Sequence, residues 1–298
     1  MTTAAGAPVV VGVDGSPHSL EAVEAAATEA ALRHRSLRIV HAFIWPPLSM
    51  GVAPGVAASP QIFHDEAQRY AAEGLRMAGK VAPDLPATAQ VITGPAVRVL
   101  LAESHKAHLI VLGDRGRGDF VGLLMGSVAV QVAAHAACPV LVVRGGHRQS
   151  GCVVVGIDGS GNSALALEFA VEEASLRGTG LVALHAWNAD SLTELNDTLP
   201  MTYENWAGDQ EERRVLAEAL AGICDRYPDV PVRRYVARGS ARRLLADWSR
   251  TAQLLVVGNR GHGGFAGLLL GSVSQHLIYR ADCPTVVVRP APVGAEPG

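Results

Sequence analysis

Lysine is almost missing from this chain. Among 25 Lys and Arg residues only Lys80 and Lys106 are lysines, so the positive charge is arginine. Neither lysine stands in a glycine-rich loop, and no G-x-x-x-x-G-K-[ST] occurs, which excludes a Walker-type phosphate loop. Charge of both signs is sparse: charged residues make up 18% of the 298 residues, below the roughly 25% usual for soluble domains. A formal net charge of −3 gives no electrostatic case for nucleic acid or for an anionic membrane as partner. No apolar run approaches the ~18 residues of a membrane span. The first residues, MTTAAGAP, lack a basic region followed by an apolar core, so a secretion signal is not expected. The four cysteines (138, 152, 224 and 283) form no C-x-x-C and no paired spacing, which argues against a disulfide framework and against thiolate metal ligation. A reducing, cytoplasmic setting is the expectation. No nucleophile–base pair, histidine-rich metal spacing or pair of carboxylates suited to hydrolysis is visible, so no catalytic residue is assigned.

The chain does contain one passage twice. Residues 111–144, VLGDRGRGDFVGLLMGSVAVQVAAHAACPVLVVR, align without a gap on residues 256–289, VVGNRGHGGFAGLLLGSVSQHLIYRADCPTVVVR, and 18 of 34 positions are identical. Both copies carry G-x-x-G, nine residues, then G-S: Gly113, Gly116, Gly126 and Ser127, then Gly258, Gly261, Gly271 and Ser272. The repeat extends outward to VVVGVDGS (Val9–Ser16) and VVVGIDGS (Val153–Ser160), to His41-Ala42 and His185-Ala186, and to Gly94 and Gly239. The expected organisation is two domains, residues 1–146 and 151–290, joined by the short polar stretch Gly145–Gly151. The tail from Pro290, rich in Pro, Gly and Ala, is expected to fray.

Within each half short apolar runs alternate with helical patterns. In the first half strands are expected at Val9–Val13, Leu37–Ala42, Ala87–Thr93, Leu109–Gly113 and Val140–Arg144, and helices at Pro17–His34, Pro60–Lys80, Pro95–Ala107 and Val128–Ala136. Ser16-Pro17 is a start signal, serine as N-cap and proline at the first helical position. The strands read as continuous apolar runs rather than alternating ones, as when both faces are covered. The alternation implies a doubly wound parallel sheet of five strands per half, Rossmann-like, with the flavodoxin-like strand order as the first expectation. Two long connections, Phe43–Ser59 and Asn188–Glu204, follow the second strand of each half; they are either loops that close over a ligand or variable surface insertions.

A strand, a glycine-rich loop and a hydroxyl residue opening a helix is the sequence form of an anion cradle. Gly116 and Gly261 can adopt positive φ, and the lack of a side chain lets a bulky anion approach the backbone. Gly126-Ser127 and Gly271-Ser272 would offer amides at a helix N-terminus, and the serine hydroxyls would donate to the same group. Arg115, Arg117 and Arg260 are the local cations; they touch phosphate or face solvent. The remaining loop positions assigned to the ligand are Asp114, Gly118, Asn259, His262 and Gly263. Asp14 and Asp158 close the first strand of each half, where a carboxylate accepts from ribose hydroxyls or an exocyclic amine, helps hold a metal, or merely forms an Asp-Gly turn. His41 and His185, inside apolar strands, read as buried, hydrogen-bonded imidazoles rather than ligands. Cys138 and Cys283, each followed by proline, read as small buried residues.

Together, V-G-[VI]-D-G-S, the HA pair, the G-x-x-G-x9-G-S loop and the CP before the last strand resemble the universal stress protein family in its tandem, ATP-binding form, over nearly the whole chain. The resemblance implies one ATP per domain, with Mg2+ or Mn2+ as a possible companion of the phosphates and the metal ligands unknown. Carried onto this sequence, it puts Asp14 and the backbone of Ala42 at the adenosine end with Gly12 close by, Gly113 and Gly116 along ribose and α-phosphate, and Gly126, Ser127 and Val128 at the outer phosphates. In the second half the matching positions are Gly156, Asp158, Ala186, Gly258, Gly261, Gly271, Ser272 and Val273. It also implies a regulatory, stress-response role with slow turnover at most, an unidentified regulatory partner, and a homodimer formed through the last strands (Val140–Val143 and Val286–Val288). The alternative is an adenine-nucleotide-dependent enzyme, an ATPase or an adenylating one, although the S-G-G-x-D-S and H-x-G-H signatures of adenylating enzymes are absent. The loops differ at Asp119 and Gly264, where an acid beside a triphosphate either weakens the first site or recruits a cation.

Overall fold

A computed structural model describes residues 6–44, 60–116, 126–145, 150–187, 207–261 and 269–290. The chain divides into two compact units, Met1–Val143 and Arg144–Gly298.

The first unit runs β1 (Val9–Val13), α1 (Pro17–Leu32), β2 (Leu37–Phe43), α2 (Pro60–Val81), β3 (Ala87–Thr93), α3 (Ala96–Ser104), β4 (Leu109–Gly113), α4 (Ser127–His135) and β5 (Val140–Val143). Its strands are parallel, in the order β3-β2-β1-β4-β5. The flavodoxin-like order is therefore corrected: β3 lies outside β2, not between β1 and β4. The sequence of β3 accounts for this. ATAQVIT leaves most of its residues partly or fully exposed, whereas β1, β4 and β5 bury nearly every side chain. A strand that polar is tolerated at an edge and not in the doubly covered centre. α1 packs against α2, and α3 against α4. Gly74 of α2 comes so close to the sheet that a Cβ there would lie 3.1 Å from Ile39 Cγ2.

The second unit repeats the scheme with β6 (Val153–Ile157), α5 (Gly161–Leu176), β7 (Leu181–Trp187), α6 (Ala207–Ala219), α7 (Ile223–Arg226), β8 (Val232–Arg238), α8 (Ala241–Ser249), β9 (Leu254–Gly258), α9 (Ser272–Arg280) and β10 (Thr285–Val288). Its order is β8-β7-β6-β9-β10, again parallel, with the arginine-bearing VRRYVAR of β8 at the edge. Both α/β units are thus doubly wound and five-stranded.

Local signals explain the boundaries. Ser16 and Ser160 are N-caps, each Oγ accepting the amide three residues on at 3.2 Å. Helices α3 and α8 end on buried serines. Ser104 Oγ accepts the amide of Ala137 at 2.9 Å, and Ser249 Oγ that of Asp282 at 2.9 Å, fixing the turn that carries Cys138-Pro139 and Cys283-Pro284 into the last strand. Cys138 and Cys283 are buried, as expected. Among the described residues, no helix is long and apolar enough to cross a membrane. The two long connections lie almost wholly outside the described residues.

Candidate functional site

Because the order is β3-β2-β1-β4-β5, the chain leaves β1 toward β2 on one side and meets β4 on the other. The gap beyond the carboxyl ends of β1 and β4 is the switch point where open α/β sheets hold ligands. Asp14 follows β1 there, and Gly113 ends β4; Asp158 and Gly258 take the same places after β6 and β9.

Each aspartate makes a tight turn with a glycine in the left-handed region, Gly15 at φ 81° and Gly159 at φ 80°. Asp14 Oδ1 accepts the Ser16 amide at 3.0 Å, and Asp158 Oδ1 accepts both the Ser160 amide at 3.0 Å and the Ser160 hydroxyl at 2.6 Å. The turn reading of Asp-Gly is therefore satisfied. The other carboxylate oxygen faces the glycine loop. A Cβ on Gly116 would lie 2.7 Å from Asp14 Oδ2, and one on Gly261 would collide with Asp158 Oδ2. Neither glycine uses the positive φ open to it. They are glycines because the loop passes directly over a carboxylate, not because of backbone handedness.

Gly113 and Gly258 have a similar reason. A Cβ on Gly113 would stand 2.6 Å from the carbonyl oxygen of His18, and one on Gly258 3.0 Å from Asn162, so the start of the loop presses against the first turn of α1 or α5. Gly12 and Gly156 face inward instead. Their added Cβ atoms would meet Leu112 Cδ2 at 2.7 Å and Leu245 Cδ1 at 3.0 Å, so packing alone accounts for them.

After the loop the chain returns to the sheet. The Gly126 amide donates to Asp114 O at 2.8 Å, and the Gly271 amide to Asn259 O at 2.7 Å. These glycines, not the serines, are the N-caps, and neither caps with a side chain. Ser127 and Ser272 are the first helical residues and are exposed, followed by half-buried Val128 and Val273. Their amides carry no intrahelical acceptor and point out of the helix start, with its partial positive charge. In the second unit Ser274 Oγ donates to Asn259 O at 3.1 Å and Gly271 O at 3.0 Å, bracing the cap; the counterpart in the first unit is Ala129.

The second strand contributes Ala42 and Ala186, half-buried beside histidines that fasten β2 to β1 and β7 to β6. His41 Nδ1 donates to Val13 O at 2.8 Å and His185 Nδ1 to Ile157 O at 2.7 Å, so the structural reading of both holds. Behind them the units diverge: the His41 ring lies 5.5 Å from that of Tyr70, whereas His185 Nε2 lies 2.7 Å from Glu212 Oε2.

The loop charges differ as well. Asp114, 3% exposed, lies 3.1 Å from His18 Nδ1, with Arg115 Nε 3.7 Å away. In the second unit the same places hold Asn259 and Asn162, whose Nδ2 donates to Arg260 O at 3.2 Å. Burial and, after it, the neighbouring Arg260 depress the Arg289 pKa. His18 and Asn162 differ between the copies, so comparing the repeats could not single them out. Arg117, Gly118, Asp119, His262, Gly263 and Gly264 lie outside the described residues. Among the described residues no cluster of three or more His, Cys, Asp or Glu could hold a metal.

The model of the universal stress protein family matches twice, over residues 7–144 and 152–289. The chain belongs to the universal stress protein family. A universal stress protein of Mycobacterium tuberculosis is 38% identical over 294 residues, covering 94% of this chain and 96% of the relative. One from Mycobacterium bovis is 38% identical over 310 residues, covering 94% of each. The crystal structure of a universal stress protein from Archaeoglobus fulgidus superposes with a TM-score of 0.66 at 20% identity, over 96% of this chain and 98% of that one, which shows a shared fold.

Proposed function

We propose that this universal stress protein is a cytoplasmic nucleotide-binding regulator that holds one ATP in each unit. A single observation carries the reading. In both units a loop glycine, Gly116 or Gly261, lies directly over the carboxylate that follows the first strand, and the chain goes on to a glycine-capped helix whose first amides point outward. An adenosine would sit between Asp14 and the backbone of Ala42, or between Asp158 and Ala186. The triphosphate would run along Gly113–Gly116 to Gly126, Ser127 and Val128, and in the second unit along Gly258–Gly261 to Gly271, Ser272 and Val273. The backbone supplies the donors and the helix start the field, which suits a polyphosphate without any lysine. Mg2+ or Mn2+, bound through the phosphates, would add charge neutralisation. The chain's own part is to seat and orient the nucleotide, and turnover is slow at most.

The test is direct. Purified protein is denatured, and the released small molecules are identified and counted. Adenine nucleotide at up to two per chain is expected. No adenine nucleotide, and no binding of ATP in calorimetry, would overturn the reading. Phosphate release at tens per second would point instead to an adenine-nucleotide-dependent enzyme. Self-association as a homodimer is part of the proposal and is read by light scattering.

A further inference from the structure

The second unit has an open surface depression of about 280 Å³ between α8 and α9, lined by Arg242, Ser272, Gln275, His276, Tyr279 and Arg280. The five α9 residues fall at i, i+3, i+4, i+7 and i+8, one continuous face of the helix. Three of the six lining side chains are cationic or protonatable, and none is acidic. The nearest acids in sequence, Asp247 and Asp282, face Arg250, at 3.5 Å and 3.8 Å. In the first unit the matching positions are Val97, Ser127, Val130, Gln131, Ala134 and His135, so neither lining arginine has an arginine counterpart there and His135 is the one protonatable imidazole of the set.

These charges repel one another. The His276 pKa lies below the ordinary imidazole value, first because burial disfavours its charged form and then because Arg242 of α8 and Arg280 of α9 stand beside it. A bound anion reverses the last two causes. Arg242 and Arg280 both line this space, and a guanidinium group matches phosphate oxygens in geometry as well as charge.

We propose that Arg242, His276 and Arg280 form an anion subsite of the second unit that takes a phosphate or diphosphate group. It meets the start of α9 at Ser272, which lines both. Two sources share this chemistry: the terminal phosphates of a nucleotide seated in the second unit, or a separate phosphorylated small molecule. Only the first of these rests on the nucleotide reading.

The full chain, labelled with 13C at the histidine rings, is titrated with sodium pyrophosphate at several pH values, and the His276 signal is assigned with His276→Gln. The expected result is a saturable shift of His276, with its titration midpoint moved upward and His135 unmoved. The Arg242→Gln/Arg280→Gln double variant, its fold checked by circular dichroism, should bind at least ~10-fold more weakly, since a good charge-assisted pair is worth a factor of that order. An absent His276 shift at millimolar pyrophosphate, or an undiminished one in the double variant, overturns the proposal. ATP is then added to the wild type and to Gly271→Glu, which closes the nucleotide seat. Loss of the ATP-induced His276 shift in that variant, with pyrophosphate binding retained, assigns the subsite to the nucleotide tail. An ATP-induced shift that survives in the variant assigns it to an independent phosphate ligand. A chain that binds no ATP leaves the pyrophosphate result standing on its own.

Discussion

Gly116 has no side chain because Asp14 occupies the place where one would be. A Cβ there would lie 2.7 Å from Asp14 Oδ2, and that carboxylate is itself held by the Ser16 amide at 3.0 Å, so it cannot simply swing away. The loop after β4 and the turn after β1 are therefore one object.

That coupling is measurable. Gly116→Ala should push the loop off the aspartate and weaken nucleotide binding in the first unit by at least ~10-fold, about 1.4 kcal/mol, while the second unit is untouched. Asp14→Ala should weaken it as well. In the Asp14→Ala background, Gly116→Ala should then cost little more, because the atom it collides with is gone. Calorimetric titration of the four proteins gives the cycle, and strict additivity would refute the contact.

The helix-start glycines should behave differently. Gly126→Glu and Gly271→Glu each place a side chain and a negative charge at the phosphate seat. Around Gly271 an added Cβ would lie 3.3 Å from Arg260 Cα and 3.4 Å from Asn259 O, tight but without a clash. The fold should survive and each single variant should lose one nucleotide of two, the double variant both. Unchanged stoichiometry in the double variant would remove Gly126 and Gly271 from the site.

Most of this architecture is legible in the sequence, for identifiable reasons. The strands Val9–Val13, Ala87–Thr93 and Leu109–Gly113 are found with the expected ends, because apolar runs bounded by Gly, Pro and Ser leave little choice. Strand order is not legible from alternation alone, although the polar ATAQVIT and VRRYVAR already speak for edge positions. The glycine spacing points to the loop but not to the reason for each glycine: close approach to Asp14 and Asp158 looks the same in sequence as a need for positive φ. His18, beside the buried Asp114, gives no signal at all, since its repeat partner is Asn162 and the contact joins residues 96 apart in the chain.

The two N-caps offer a comparison within one chain. Ser16 Oγ accepts only the Ser19 amide among its resolved side-chain bonds, whereas Ser160 Oγ also donates to Asp158 at 2.6 Å. Ser16→Ala should cost about 1 kcal/mol of stability and leave nucleotide affinity unchanged. Ser160→Ala should cost at least as much and also loosen Asp158, weakening the second site several-fold. Urea melts and calorimetry on both variants separate the effects; equal behaviour would show that the Ser160–Asp158 bond does not shape the site.

Cysteine chemistry supplies a pH-dependent test. Burial is the main cause that pushes the Cys138 thiol from its ordinary 9.0 to about 12, and the residue is 6% exposed. Cys224 is exposed and Cys152 partly so. At pH 8 an aromatic disulfide reagent should therefore modify Cys224 quickly, Cys152 slowly, and Cys138 and Cys283 only after unfolding. The stability consequence has a definite sign. The folded thiol keeps its proton where the unfolded one releases it, so the contribution is whole below pH 9 and is lost progressively between about pH 9 and about 12. The slope from this one group is at most about 1.4 kcal/mol per pH unit. Urea midpoints of the wild type should fall between pH 8 and pH 10 more steeply than those of Cys138→Ala, which has no thiol to ionise. Parallel curves would mean that the Cys138 thiol is not buried in the native protein.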